Sequence, residues 1–192
     1  SNDKPPAAAP AMAAAAPASS TSALISTAPK SQLPWGPSVV PANYTVTHWD
    51  KSHGLPRDSV RCITQARDGA IWIGTSEGFA RFDGEQFQAY TRRTHRVIPT
   101  SATNVILEAS DGGIWIGTNG SGLLRMNRKD GSLLKFGRKD GLTGVEILTL
   151  AEGSDGSIWV GTGSGLNRYK DGTLKPYLGE NNVLDSAIYG LM

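Results

Sequence analysis

The stretch Asp68-Gly69-Ala70-Ile71-Trp72-Ile73-Gly74-Thr75 returns as Asp111-Gly112-Gly113-Ile114-Trp115-Ile116-Gly117-Thr118 and again as Asp155-Gly156-Ser157-Ile158-Trp159-Val160-Gly161-Thr162. The three tryptophans stand 43 and 44 residues apart. A fixed period of about 20–50 residues marks a repeat architecture, and the rest of the chain has to be read against it. Within each copy, Asp-Gly is a hairpin signal, because Gly accepts the positive φ that a tight turn demands. The Ile-Trp-Ile or Ile-Trp-Val run that follows is apolar on both faces, which predicts a strand buried on both sides.

The residues on either side of the phrase complete the unit. In the first copy, Ser59 to Gln65 precedes it as a strand carrying Val60, Cys62 and Ile63. Gly78 turns the chain into Phe79 to Phe82, and Asp83-Gly84 turns it into Phe87 to Tyr90. The second copy has Val105-Ile106-Leu107 before the phrase, then Gly122 to Arg125, Asp130-Gly131, and Leu133 to Phe136. The third has Ile147 to Leu150, Gly165 to Tyr169, Asp171-Gly172, and Leu174 to Tyr177. Gly78/Arg81, Gly122/Arg125 and Gly165/Arg168 recur in step. A fourth unit opens at Val183, with Ile188-Tyr189-Gly190-Leu191 where an innermost strand belongs, and its Trp falls due near position 202.

Four short antiparallel strands per unit, with a central strand that needs a neighbour on each side, suit the blade of a β-propeller. The expected fold is therefore all-β: blades at about 57–90, 101–137 and 145–178, a fragment at 183–192, and a partial propeller over 36–192. An all-β sandwich with evenly spaced turns is the alternative, and the regularity of the repeat counts against it. Propellers close with about 4–8 blades, so three blades and a fragment are expected to be the front end of a longer protein. Tyr44-Thr45-Val46-Thr47-His48-Trp49 alternates like a strand and reads as the outermost strand of a last blade. End blades with uncovered apolar faces and unpaired edges are expected to make the isolated chain associate.

Residues 1–35 are of different material. From Pro5 to Ala18 all are Ala or Pro except Met12, and Ser, Thr and Pro dominate up to Trp35. Such a stretch buries too little apolar surface to offset its ordering entropy and is expected to be a disordered linker. Pro5, Pro6, Pro10 and Pro17 break the continuous apolar run that a secretory signal requires. The chain is therefore expected to begin after a processing site or at an artificial boundary. No segment approaches the roughly 20 apolar residues of a membrane span. A net charge of +2 gives no case for nucleic acid, and the single Cys62 excludes an internal disulfide.

Asp-Gly-x-Ile-Trp-Ile-Gly-Thr followed by Gly-x-x-Arg, with Gly54-Leu55-Pro56 ahead of the first strand, resembles the two-component regulator propeller repeat. The resemblance covers about residues 44–192. The Trp-Asp propeller repeat does not fit, since the repeated Trp is followed by Ile or Val, and the period is short of the roughly 50 residues of a kelch repeat. The second unit departs from the pattern: Thr91 to Pro99 stands where Gly-Leu-Pro is expected, whereas the third has Gly141-Leu142-Thr143. The resemblance implies the periplasmic sensor region of an inner-membrane bacterial signalling protein, homodimeric at full length, whose output is a hybrid histidine kinase or a GGDEF diguanylate cyclase. No GGDEF sequence and no kinase ATP site stands in this chain.

Candidate chemistry is sparse. No Asp-Gly turn supplies the alternating oxygen ligands of a calcium loop, so Asp68, Asp111 and Asp155 read as turn residues. The tryptophans could be sugar-stacking platforms, but their place in buried strands makes them core. His48, His53 and His95 lack metal-ligand spacing, no Ser or Cys has an identifiable base, and neither metal nor cofactor is expected. Arg92, Arg93, His95 and Arg96 form the densest basic run, in a loop between blades. They are the candidate binding residues for an anionic ligand such as an acidic glycan, against the plainer reading of a solvated loop. The functional expectation is a non-catalytic, ligand-binding sensor segment whose ligand is an unknown small molecule or glycan. Its rivals are a protein–protein scaffold and a glycan-active enzyme, which would need paired carboxylates.

Overall fold

The structure, a computed structural model, describes residues 46–177 and 186–191. The chain divides into two units, Ser1–His48 and Trp49–Met192. Of the first, Val46, Thr47 and His48 are described; they are exposed and in no strand. The expected linker over 1–35 lies outside the described residues, as do Tyr44 and Thr45. The strand expected up to Trp49 is not formed over Val46 to Trp49. Alternation makes a strand only where a ladder partner exists, and Trp49 instead packs edge-on or tilted against Phe82 at 5.1 Å and Phe87 at 5.5 Å.

The second unit is all-β. Three four-stranded antiparallel sheets follow one another along the chain, each an up-and-down meander. The first contains β1 (Val60–Gln65), β2 (Ile71–Thr75), β3 (Phe79–Phe82) and β4 (Phe87–Tyr90). The second contains β5 (Thr103–Glu108), β6 (Ile114–Thr118), β7 (Leu123–Met126) and β8 (Leu133–Phe136). The third contains β9 (Ile147–Glu152), β10 (Ile158–Thr162), β11 (Gly165–Lys170) and β12 (Thr173–Pro176). The first strands β1, β5 and β9 lie side by side, so the sheets are successive propeller blades with these strands innermost.

The core lies between the blades. One apolar cluster joins the first blade to the second through Trp72, Phe79, Tyr90, Ile106 and Ile116. Another joins the second to the third through Trp115, Leu123, Ile147, Leu150 and Val160. Each fully buried Ile or Leu in such a join stabilises it by about 1.5–3 kcal/mol. The phrase strand is buried at every position in the second blade, which has a described blade on each side, and only in part in the first and third. Trp159 is accordingly half-buried, with its ring edge-on to Tyr177 at 4.8 Å.

The Gly of Trp-Ile-Gly-Thr has a steric cause. A Cβ at Gly74 would lie 3.0 Å from Thr103 Cβ, one at Gly117 would lie 2.9 Å from Ile147 Cβ, and one at Gly161 would lie 3.0 Å from Ile188 Cβ. Each Gly therefore lets the next unit's innermost strand approach. The Thr after it closes the following turn: Thr75, Thr118 and Thr162 donate through Oγ1 to the carbonyls of Gly78, Gly122 and Gly165.

Ile188 stands in the third of these joins as Thr103 and Ile147 stand in the first two, and its N–H donates to Thr162 O at 3.0 Å. The fourth unit's innermost position is therefore occupied. Residues 186–191 are in no strand, because no described strand pairs with them. The departure in the second unit also resolves: Ile98 is buried like Leu55 and Leu142, so Ile98-Pro99 fills the slot of Leu55-Pro56.

Candidate functional site

The repeated charged residues are tied to one another. Asp68 Oδ1 accepts from Ala70 N–H at 3.1 Å, Asp111 Oδ1 from Gly113 N–H at 2.8 Å, and Asp155 Oδ1 from Ser157 N–H at 3.1 Å. The other carboxylate oxygen of each pairs with Arg81, Arg125 or Arg168. The register explains the pairing, since Trp72, Trp115 and Trp159 face these arginines across the ladder. Arg125 lies over the Trp115 ring at 5.5 Å and Arg168 over Trp159 at 5.4 Å, each a cation–π contact. Burial works to raise the pKa of Asp68 and Asp111, but their N–H and arginine partners outweigh it and hold both carboxyls low. Lys170, Ser157 and Arg168 hold Asp155 well below the usual carboxylate range. These carboxylates are held ionised by the blade's own turns and arginines.

A different set of side chains faces the space where the innermost strands begin. In each blade the ladder skips one residue. Val60 pairs with Thr75 and Cys62 with Gly74; Thr103 pairs with Thr118 and Val105 with Gly117; Ile147 pairs with Thr162 and Thr149 with Gly161. The residues passed over are Arg61, Asn104 and Leu148. A bulged residue has no partner in the ladder and its side chain is re-aimed. All three line one cavity of about 440 Å³, together with Glu146 and Tyr189. Tyr189 follows Ile188 as Leu148 follows Ile147, so four successive units each send the same position into this cavity. Arg61 Nε donates to Asn104 Oδ1 at 3.2 Å, and Asn104 Nδ2 donates to Ile147 O at 3.0 Å, which fixes the polar side.

The sequence model of the family described as Two component regulator propeller matches residues 54–77, 98–120 and 141–164. The chain carries three two-component regulator propeller repeats. Their bounds agree with the buried Leu55, Ile98 and Leu142 near each start. Among solved structures, the chain is similar to extracellular domains of systems BT4673 and BT3049 of B. thetaiotaomicron, both described as hybrid two component systems. For the first, identity is 24%, the TM-score 0.58, and the match covers 74% of this chain and 20% of that one. For the second, the values are 24%, 0.56, 67% and 19%. A catalytically inactive virginiamycin B lyase of Staphylococcus aureus is similar at 22% identity and a TM-score of 0.53, over 67% of this chain and 45% of that one. At these identities the likeness is one of fold. The chain spans about a fifth of the length of the two B. thetaiotaomicron domains. No curated protein matches it.

Between the first two propeller repeats lies the basic run. Arg92, Arg93 and Arg96 are exposed, and none makes an ion pair or side-chain hydrogen bond among the described residues. His95 is half-buried, its ring 5.4 Å from that of Tyr90 and its Nδ1 3.0 Å from Thr94 Oγ1. Thr94 and His95 N–H groups both donate to Thr91 O, which folds the loop into a turn. The loop leaves β4 at the end of the blades where β1, β5 and β9 begin, and none of its residues lines the central cavity.

Reading the propeller repeats from sequence singled out this loop and missed Arg61, Asn104, Leu148 and Tyr189. A signal was present: aligned on the repeat, these positions carry a different residue in every copy. Cys62, next to Arg61, is half-buried with its thiol pushed up by burial. No helix among the described residues is long and apolar enough to cross a membrane.

Proposed function

We propose that the chain is part of a ligand-sensing propeller in a bacterial signal-transduction receptor, held on the periplasmic side of the inner membrane and homodimeric at full length. It does no catalysis itself; it binds a small molecule or glycan and passes occupancy to an output domain elsewhere in the receptor. The observation that carries this reading is the shared cavity into which successive units project non-equivalent side chains. A cavity of about 440 Å³ is in the size range of small-molecule sites, about 300–1,000 Å³. The two-component regulator repeat supplies the signalling context. Ligand binding can bias a receptor only through different affinity for its two states.

Arg92, Arg93, His95 and Arg96 are proposed as a secondary contact for an anionic part of the ligand, on the strength of three exposed guanidinium groups within five residues. A thermal-shift screen of glycans, anions and small metabolites tests both sites, because any ligand that prefers the folded state raises Tm. The expected outcome is a shift that Arg61→Ala abolishes and that the combined Arg92→Ala, Arg93→Ala, Arg96→Ala variant reduces. Chemical turnover of a screened compound by the chain would put the enzyme reading in its place.

A further inference from the structure

We infer that the central cavity takes a small zwitterion with an apolar body, such as an amino acid or dipeptide, its carboxylate on Arg61 and its ammonium on Glu146. The inference rests on the sensing role proposed above and names its ligand class. The residues that the fold requires are repeated in every unit: the Trp, the Gly that lets the next strand approach, the Thr that closes a turn, and the Asp–Arg pair. The residues aimed into the cavity are not, being Arg61, Asn104, Leu148 and Tyr189 in turn. Glu146 likewise stands where the first two units have Ser59 and Ala102. Their chemistry changes from unit to unit, unlike that of the residues that make the joins.

The charges decide the ligand class. Arg57, Arg81, Arg125, Arg128 and Arg168 all find carboxylates. Arg61 and Glu146 line one cavity, and among the described residues neither makes an ion pair. Arg61 spends Nε on Asn104 and keeps both terminal nitrogens for a ligand, the fork that suits a carboxylate. A ligand of one sign would bring its charge beside the like-charged residue, which selects against it. Val60, Leu148 and Tyr189 form the apolar part of the lining, and Tyr189 is 79% exposed, free to cover an aromatic or aliphatic body.

The test is titration calorimetry on the full chain with L-alanyl-L-phenylalanine, its N-acetyl derivative, its C-terminal amide, and cellobiose as a neutral polyol. The free dipeptide is expected to bind, and each blocked form to bind at least tenfold more weakly. Arg61→Ala should erase the preference over the amide, and Glu146→Ala the preference over the N-acetyl form. Blocked and free dipeptides binding alike would overturn the zwitterion. Cellobiose binding lost in both Arg61→Ala and Tyr189→Ala would overturn the ligand class while leaving the cavity as the sensing site. No heat from any probe, with circular dichroism showing a folded chain, would overturn the inference and count against the cavity itself.

Discussion

Gly117 and Ile147 meet across the join of the second and third blades so closely that a Cβ on Gly117 would lie 2.6 Å from Ile147 Cγ2 and as near to Val105 Cγ1. Gly117→Ala is therefore an overpacking change at a buried strand and should destabilise by about 1–3 kcal/mol. Ile147→Ala leaves a cavity and should cost about 2–5 kcal/mol. In the double variant the clash with Ile147 Cγ2 is gone while that with Val105 Cγ1 remains, so the two costs should sum to somewhat more than the measured loss. Urea denaturation of the four proteins checks this, and strict additivity would mean that the contact is not the reason for glycine.

Asp111 joins a turn to an arginine, and its low pKa makes the pair sensitive to acid. Its folded carboxyl holds a proton less tightly than the unfolded one, so the folded state carries fewer protons and loses stability as pH falls. The contribution is present above the unfolded Asp pKa of about 3.9 and fades below it. Asp111→Asn keeps an acceptor for Gly113 N–H but not the ion pair. It should cost about 0.5–1 kcal/mol at pH 7, a size limited by solvent screening of a half-exposed pair. Thermal melts from pH 7 to 3 should show that difference closing; a constant gap would assign the loss to the turn instead.

Much of the blade plan is legible in the sequence. Trp72, Trp115 and Trp159 carry the blade plan because a repeat has to bury the same strand in the same way each time, and period plus turn residues are enough to place β1 to β12. Ile98 was harder to place, since Val97 replaces the Gly that precedes Leu55 and Leu142; its burial and its place 17 residues before Trp115, the spacing of Leu55 and Leu142 before theirs, identify it as their equivalent. The bulge at Arg61, Asn104 and Leu148 is not itself legible, because a skipped residue changes register without changing the alternation; only the change of residue from copy to copy marks the position. The pairing of Asp68, Asp111 and Asp155 with Arg81, Arg125 and Arg168 was half visible, as the arginines recur in step but their partners emerge only from the ladder.

Glu108 and Glu152 show a second repeated join. Glu108 accepts from Arg67 N–H at 2.7 Å, and Glu152 accepts from Ser110 N–H at 2.8 and 2.9 Å, so each innermost strand ends by capping the turn of the blade before it. Glu152→Ala should cost about 1–2 kcal/mol, in the range of a hydrogen bond to a charged group at an accessible site. Glu152→Gln keeps one acceptor and should recover at least half. Amide exchange at Ser110 gives a local readout, and unchanged protection there in Glu152→Ala would remove the cap from the account.

Ile63 has the position in the first blade that Ile106 and Leu150 have in the next two, yet it is 65% exposed where they are 4% and 8%. In the later blades this residue packs on the Trp cluster of the blade before it. The same contact is open at both ends of the described array, with Ile63 uncovered on one face and Trp159 half-covered on the other. Apolar faces of this kind drive association. The isolated chain is therefore expected to self-associate at micromolar concentration, and Ile63→Asp should shift it toward monomer with a change in stability within about 0.5 kcal/mol, as at other exposed sites. Ile106→Asp places a charge in the sealed join and should prevent folding outright. Sedimentation velocity on the wild type and Ile63→Asp decides the matter. A monomeric wild type with a single sharp melt would show that the first blade's open face does not bind its own kind.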